Sequence, residues 1–371
     1  MGAAARLVVA WASVGVFAWF GKGWLGDLGQ QPLFASLLFA WLLGVIIWAA
    51  FGVVHEAEEL AEMLGEPLGT LILTLAIVII EVALVSAVML SAKDAPTLGR
   101  DTMFAVLMIV LNGVVGLGLI LGGLRHHQQS YNLQGASAFL AVIIPLATLA
   151  LIIPNFTSST TDGSLTKVQA VTFSIFTVAL YGIFILIQTG RHSDFFQDPD
   201  ARAQAARTEA VEAPAKHRAS AREILRHTIL LVANILPIVL LSKSLATILD
   251  HGIAALGAPS ALGGVLIAAI VFTPEGISSL KAIARNELQR AINLCLGAAT
   301  STIGLTVPAV LAIGLLTGQT VILGLSPTGM TLLAVTLILS TLTFSGPRTT
   351  VLEGAVHLIL FFVYLVLIFS P

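Results

Sequence analysis

Long apolar runs are the feature that most constrains this chain. Eleven stretches of about 16 to 27 residues carry almost no charge, and each could cross roughly 30 Å of hydrocarbon as an α-helix. They fall near residues 5–20, 33–54, 68–91, 102–124, 137–154, 168–188, 227–249, 260–281, 291–317, 329–345 and 352–370. Because 57% of the 371 residues are hydrophobic and 10% are charged, a water-soluble globule could not bury them all. The lipid bilayer is therefore the predicted partner of most of the surface.

The predicted fold class is all-α, a polytopic membrane protein of about eleven transmembrane helices. Membrane spans must be helices or closed barrels, since lipid offers unpaired backbone groups no water to bind. These runs are too long and too uniformly apolar for alternating barrel strands. The first run follows Arg6 and could instead be a secretory signal peptide, but no small-residue cleavage site follows Phe20. We therefore expect a retained helix.

Positive charges are unevenly shared between the two sides of the predicted bundle. With eleven spans, thirteen Lys and Arg residues fall on the side of the N-terminus and central loop, and five on the other. The positive-inside rule then predicts a multi-pass protein of the cell (inner) membrane, with N-terminus and central loop cytoplasmic and C-terminus outside. A net charge of -2 does not indicate nucleic acid as a partner. The lone Cys295 offers neither a disulfide nor a thiol metal cluster.

Two stretches resemble each other and divide the chain into copies. Residues 68–81 and 262–275 share Leu, Gly and Glu at the same three offsets. If each copy crosses the membrane five times, the second enters from the opposite side, which is inverted topology. The predicted organisation is an N-terminal helix and loop (1–32), a first five-helix repeat (33–190), a cytoplasmic hydrophilic linker (191–226) and a second five-helix repeat (227–371).

Glu81 and Glu275 end these matched stretches within apolar sequence. Inserting an acidic side chain at a helix centre costs about 2.5–3.5 kcal/mol, so such residues usually face a cavity or a partner. Two facing carboxylates can hold a hard metal cation or protons, but hardly both. That exclusion suits a transporter rather than an enzyme, and the pair is the predicted metal-binding and proton-binding site. Pro274 and Gly276 are expected to break the second helix beside it.

Polar residues in the spans that follow each glutamate are further candidate cation ligands. Asn112 lies in the first repeat, and Thr300, Ser301 and Thr302 lie in the second. Ser and Thr hydroxyls often bond to carbonyls of their own helix instead, and that alternative stays open for the hydroxyl group.

Two acidic segments near predicted span ends have weaker functional interpretations. Glu353 and His357, one turn apart, form a candidate proton relay, while an interfacial ion pair or hydrogen bond between them is the simpler interpretation. The segment HEAEELAEMLGE (55–66) lacks the second His of an H-E-x-x-H zinc site. It is expected to be an interfacial amphipathic helix leading into the third span, with a cation sensor as the alternative.

Four long stretches resemble the bacterial calcium/proton antiporters of the ChaA type, within the cation/calcium exchanger superfamily. They are AEELAEMLGEPLGTLILTLAIVIIEVALVSAVML, RDTMFAVLMIVLNGVVG, FTPEGISSLKAIARNELQRAINL and GPRTTVLEGAVHL. The resemblance implies export of Ca2+, in some members Na+ or K+, driven by proton entry and without a cofactor. It implies that Glu81 and Glu275 are the two essential repeat glutamates. Vacuolar members of the superfamily carry Asn where this chain has Val78 and Phe272, which implies a smaller set of amide ligands here.

Other functions remain alternatives to Ca2+/H+ exchange. A Na+(K+)/H+ antiporter would use the same residues, and a cation channel could also contain paired acidic side chains. An intramembrane hydrolase needs a nucleophile beside a base, and an ATP-driven pump needs a Walker loop; the sequence suggests neither. Coupled flux would distinguish an antiporter from a channel.

Overall fold

A computed structural model describes residues 2–29, 31–65, 68–91, 96–198, 220–346 and 348–370. Within these ranges the bundle has eleven long helices. They are α1 Ala3–Gly26, α2 Pro32–Leu64, α3 Leu68–Ser91, α4 Leu98–His126, α5 Leu133–Phe156, α6 Lys167–Arg191, α7 Ala221–Ala255, α8 Ala261–Ala284, α9 Leu288–Thr317, α10 Pro327–Thr343 and α11 Val351–Phe369. Ten of them have the length and hydropathy of a membrane span, and α10 is a shorter apolar helix. The predicted all-α membrane fold is confirmed.

Two loops meet at one face of the bundle. Strand β1 (Gln129–Ser130) lies in the loop between α4 and α5, and strand β2 (Arg348–Thr349) lies in the loop between α10 and α11. The two strands pair antiparallel. Asp194, which follows α6, lies at this face too, because its carbonyl accepts a 3.1 Å hydrogen bond from Asn132 Nδ2. We call it the linker face, since the segment between α6 and α7 begins here.

Helices α3 and α8 run antiparallel through the bundle. Helix α8 ends at the linker face, where the Ile283 carbonyl accepts a 3.0 Å hydrogen bond from Gln129 Nε2. Helix α3 instead leads to the opposite face, where Ile322 N donates to the Pro96 carbonyl at 2.9 Å and Ile322 also bridges to Ser164. The matched helices therefore cross in opposite directions, as inverted repeats require.

The two matched glutamates lie on helices at the centre of the bundle or next to it. Most residues in the apolar windows of α4, α8 and α9 are buried (67%, 61% and 61%), compared with 17% in α1 and 22% in α11. The outer helices present Leu, Val and Phe side chains outward, where lipid can solvate them. Central helices, by contrast, can carry polar side chains away from lipid.

Helix α8 is continuous, so the expectation of a break beside Glu275 is wrong. Pro274 lies inside the helix, which runs without interruption to Ala284. Proline removes one donor, so the Ile270 carbonyl receives no bond from residue 274. Neighbouring helices in a tightly packed bundle allow a helix to continue through such a residue.

Helices α4 and α9 each contain a π-helical segment. These segments are Met108–Val114 in α4 and Thr302–Thr306 in α9. A π-helical turn shifts the register of all later side chains, and such turns occur frequently at functional sites. Both lie in the helix that follows a matched glutamate.

The acidic segment 55–64 forms the last turns of α2 rather than a separate interfacial helix, which corrects that prediction. Glu56 is buried and accepts a 2.8 Å hydrogen bond from His227 Nδ1 on α7. The Arg6 guanidinium on α1 lies 3.9 Å from the other Glu56 oxygen and donates to Asn234 at 3.2 Å. These contacts hold α1, α2 and α7 together near the linker face.

Most of the predicted hydrophilic linker (191–226) lies outside the described residues. At its end, α7 begins at Ala221 with a capping box formed by Ser220 and Glu223, a few residues earlier than the predicted start of the second repeat.

Candidate functional site

Glu81 and Glu275 both lie close to the middle of their helices and are almost fully buried. Glu81 is 1% exposed on α3, and Glu275 is 3% exposed on α8. Thr302 bonds to Glu81, and the preceding residue, Ser301, lines one cavity with Glu275, so the two glutamates approach the same part of α9. The structure thus brings together the two acidic residues that the repeat predicted. Burial of two like charges is unfavourable unless protons or a cation neutralise them.

The Glu81 carboxylate is bound from the second repeat. Thr302 Oγ1 donates a 3.0 Å hydrogen bond to its Oε2 atom. Thr306, one turn further along α9 on the same face as Thr302, has a buried hydroxyl with no hydrogen-bond partner among the described residues. Glu81 Oε1 has no hydrogen-bond partner among the described residues. One carboxylate oxygen of Glu81 thus remains available to a ligand.

The Glu275 carboxylate has fewer hydrogen-bond partners than the Glu81 carboxylate. Neither of its carboxylate oxygens has a hydrogen-bond partner in the described part of the chain, and the same holds for the Ser279 hydroxyl one turn later on α8. Buried polar atoms are nearly always paired, so three unpartnered carboxylate oxygens at one place are typical of a binding site rather than of a packing contact.

A cavity of about 340 Å³ reaches Glu275 from the linker face. Glu275, Ser301 and Thr74 line its inner part, while Gln197 and Arg290, both exposed, line its outer part. Polar groups along this path allow water and a hydrated ion to approach Glu275 from one side of the bundle.

Thr300 and Ser301 bond to their own helix. The Thr300 hydroxyl donates to the Leu296 carbonyl at 2.6 Å, and the Ser301 hydroxyl donates to the Ala298 carbonyl at 3.0 Å. Ser301 nevertheless lines the cavity beside Glu275. Of the three predicted hydroxyls, Thr302 is the one that contacts a matched glutamate.

Asn112 is held in a separate buried network. Its Nδ2 atom donates to Thr336 Oγ1 at 2.8 Å, and its Oδ1 atom lies 3.0 Å from His357 Nδ1. The other ring nitrogen of His357 lies 2.9 Å from Thr343 Oγ1. The predicted ligand is therefore bound to α10 and α11, and its role at the cation site stays a prediction.

The expected contact between Glu353 and His357 does not form. Glu353 accepts a 2.5 Å hydrogen bond from Thr350 N and completes the capping box of α11. Both ring nitrogens of His357 have other partners. Glu353 thus stabilises a helix start, because its carboxylate satisfies a backbone donor there. A relay through the two residues stays a prediction.

Among the described residues, no cluster of three or more His, Cys, Asp or Glu side chains could hold a metal ion. A cation at the glutamate pair would therefore take further oxygen ligands from hydroxyls, backbone carbonyls or water, as Ca2+ readily does.

Two hydroxyls at the site were missed by the sequence analysis, Thr306 and Ser279. Each follows an identified residue by four positions, since Thr306 follows Thr302 and Ser279 follows Glu275. Residues four apart share a helix face. That spacing was the signal that could have found them.

Comparison with known proteins identifies the group to which this arrangement belongs. The sodium/calcium exchanger protein family matches residues 34–190 and 226–370. The protein y4hA of Sinorhizobium fredii, named as an ionic transporter, is 44% identical over 88% of this chain and 87% of its own length. The sodium-potassium/proton antiporter ChaA of Escherichia coli is 36% identical over 97% of this chain and 94% of its own.

A solved structure has the same fold. The Ca2+/H+ antiporter protein YfkE superposes with a TM-score of 0.68 and 15% sequence identity, covering 99% of each chain.

Proposed function

This chain belongs to the sodium/calcium exchanger protein family of membrane antiporters, and we propose that it is a secondary active antiporter that exchanges Ca2+ for protons at Glu81 and Glu275. The proposal assigns both substrates to one site, so that binding of Ca2+ displaces protons. Alternating access of that site to the two sides of the membrane would then couple the two fluxes.

The observation that carries this proposal is that the buried carboxylates of Glu81 and Glu275 have few hydrogen-bond partners and no ion-pair partner among the described residues. Three of their four oxygens lack a hydrogen-bond partner among the described residues. Neither carboxylate forms an ion pair with Lys, Arg or His within the described ranges. Two negative charges in a low-dielectric site are neutralised equally well by one Ca2+ or by two protons. Exchange of one for the other keeps the site neutral throughout.

The cavity beside Glu275 supports a direction of transport. It reaches the linker face, which the distribution of Lys and Arg predicts to be cytoplasmic. Cytoplasmic Ca2+ would enter this cavity, and inward proton flow would drive its export.

Transport in everted membrane vesicles, whose cytoplasmic face is outside, tests the proposal. With an acidic interior and a fluorescent pH reporter, Ca2+ addition should raise the internal pH, since Ca2+ enters as protons leave. Vesicles with Glu81→Gln should show no response, while Glu62→Gln, at an exposed carboxylate on α2, should respond like the wild type. A cation channel would let Ca2+ equilibrate, whereas the antiporter should use the proton gradient to accumulate Ca2+ inside the vesicles above its external concentration.

A Na+(K+)/H+ antiporter is the second candidate. It is supported by the 36% identity to a sodium-potassium/proton antiporter and by Val78 and Phe272, which offer no ligand oxygen near the glutamates. Monovalent ions need fewer negative ligands than Ca2+ does. A pH response to Na+ or K+ together with no response to Ca2+ would favour this candidate.

A further inference from the structure

Asn112 and Thr302 hold corresponding places in the two repeats. Each is the fifteenth residue of its helix, counted from Leu98 in α4 and from Leu288 in α9, and each lies in a π-helical segment. Thr302 bonds to Glu81 of the other repeat. The corresponding contact would join Asn112 to Glu275, but Glu275 has no such partner among the described residues. The two halves of the site therefore differ in this contact.

The helices that carry Asn112 and Glu275 are in direct contact close to these two residues. Helix α4 packs on α8 at this level, and a Cβ atom on Gly276 would lie 3.6 Å from Val114 Cγ2. Val114 follows Asn112 by two residues, and Gly276 directly follows Glu275. The correspondence with Thr302 and Glu81 therefore pairs Asn112 with Glu275 across this helix contact.

His357 keeps the Asn112 amide engaged elsewhere. Asn112 Nδ2 donates to Thr336, so Oδ1 is the acceptor and His357 Nδ1 is the donor of the 3.0 Å bond. In a neutral ring, Nε2 then accepts from the Thr343 hydroxyl at 2.9 Å. This chain of bonds uses the one Asn112 atom that could coordinate a cation.

Glycines bring α4 and α11 close enough for the hydrogen bond between His357 and Asn112. A Cβ on Gly354 of α11 would lie 2.7 Å from the Gly116 carbonyl oxygen of α4, closer than real Cβ atoms approach. The helices therefore meet backbone to backbone one turn from Asn112 and from His357. The ring is fixed against the amide by this packing.

We propose that His357 is a positioning residue that withholds the Asn112 amide oxygen from a cation at Glu275, and that transport requires the exchange of this hydrogen bond for an Asn112 contact at Glu275. Amide oxygens are ligands that Ca2+ and other hard cations accept, so the exchange raises the cation affinity of the site. The inference rests on the proposed transport function of Glu275.

The test measures KM and maximal rate for the exchanged cation in proteoliposomes, with Ca2+, Na+ and K+ each tried on the wild type. The variants are His357→Ala, His357→Gln, Asn112→Ala and the double variant His357→Ala with Asn112→Ala. Size-exclusion profiles and thermal unfolding in detergent show which variants are folded. The glutamine retains an N–H donor for Asn112 and serves as the conservative replacement.

We expect His357→Ala to lower KM about fivefold, the equilibrium effect of one hydrogen bond, and to reduce the maximal rate, since a tighter site releases its cation more slowly. His357→Gln should keep the wild-type KM. The double variant should match Asn112→Ala, because without the amide His357 has nothing to withhold. A purely structural role of His357 would lower the maximal rate without lowering KM.

An unchanged or raised KM in folded His357→Ala would overturn this inference but leave the proposed function standing. The inference would also be overturned if adding His357→Ala to Asn112→Ala still lowered KM fivefold. If the wild type exchanges none of the three cations for protons, the proposed function fails and the inference fails with it. The two failures are therefore distinguishable.

Discussion

The Thr302 hydroxyl donates a 3.0 Å hydrogen bond to Glu81 across the two repeats, whereas its neighbour Thr300 bonds to the Leu296 carbonyl of its own helix. Two threonines only two residues apart thus have different partners. The glutamate is contacted by the one that begins the π-helical segment of α9. This contact links the acidic residue of one repeat to the polar helix of the other.

Replacement of Thr302 by Val should raise the KM for the transported cation about tenfold, since hydrogen bonds to a charged group contribute roughly 1.5–3 kcal/mol. Thr302→Ser, which keeps the hydroxyl, should remain near the wild type. Thr300→Val is the matched control and should change KM little. Equal KM values for Thr302→Val and Thr300→Val in the vesicle assay would contradict this role.

Glu81→Gln and Glu275→Gln should each abolish coupled exchange while the protein stays folded. An amide keeps the shape of the side chain but cannot trade a proton for a cation. Rates below about one hundredth of wild type are expected in the pH-reporter assay. Glu353→Gln should have a milder effect, because Glu353 caps α11 outside the central site. Wild-type transport by either central variant over the whole pH range would refute the site.

The sequence predicted the matched glutamates and a group of three hydroxyls, but not which of these hydroxyls contacts Glu81. Glu81 and Glu275 stand out because inserting a carboxylate into a membrane helix costs free energy, and because such a carboxylate occurs at the same position of both matched stretches. Which hydroxyl faces Glu81 depends on the rotation of α9, and a π-helical segment shifts that rotation in a way that residue spacing does not reveal. Asn112 was identified as a polar residue in the span that follows Glu81. Its partners Thr336 and His357 lie more than two hundred residues away in the chain.

Other errors came from local rules that packing overrides. Pro274 predicts a helix break by its missing donor, yet α8 continues through it among tightly packed helices. Glu56 lies in a sequence that predicts an interfacial helix, but contacts with His227 and Arg6 bury it. Long apolar runs were predicted reliably because the bilayer alone requires them to be helices.

Accessibility of the cavity should depend on the side of the membrane. In Gly297→Cys, the new side chain would line the cavity, with its nearest neighbour Phe139 3.9 Å from the Cβ position. A membrane-impermeant thiol reagent should label it in everted vesicles and not in intact cells. Native Cys295 is 2% exposed and should stay unlabelled. Thr320→Cys, at the opposite face, should show the reverse pattern, and labelling of Gly297→Cys from outside would contradict a cytoplasm-facing cavity.

Glu56→Gln should destabilise the protein without removing the transport site. Glu56 is buried and paired with His227 and Arg6, so a neutral amide leaves the Arg6 charge without its counterion. Breaking a buried ion pair costs about 3–5 kcal/mol, and a lower midpoint of thermal unfolding in detergent is expected. Glu62→Gln, at an exposed position of the same helix, should leave the midpoint unchanged. Equal midpoints for the two variants would show that the Glu56 contacts add no net stability.

Exchange at the glutamate pair should transfer no net charge in each cycle. The two carboxylates can take up two protons when one Ca2+ leaves, so two positive charges replace two. Because one uncompensated charge crossing 100 mV contributes about 2.3 kcal/mol, even a single one would make the Ca2+ distribution respond strongly to membrane potential. Proteoliposomes with the potential set by potassium and valinomycin should therefore reach a Ca2+ distribution that follows twice the pH difference and ignores the voltage. Strong voltage dependence would reject this cycle and require a third proton carrier besides Glu81 and Glu275, for which Glu353 and His357 are the first residues to replace.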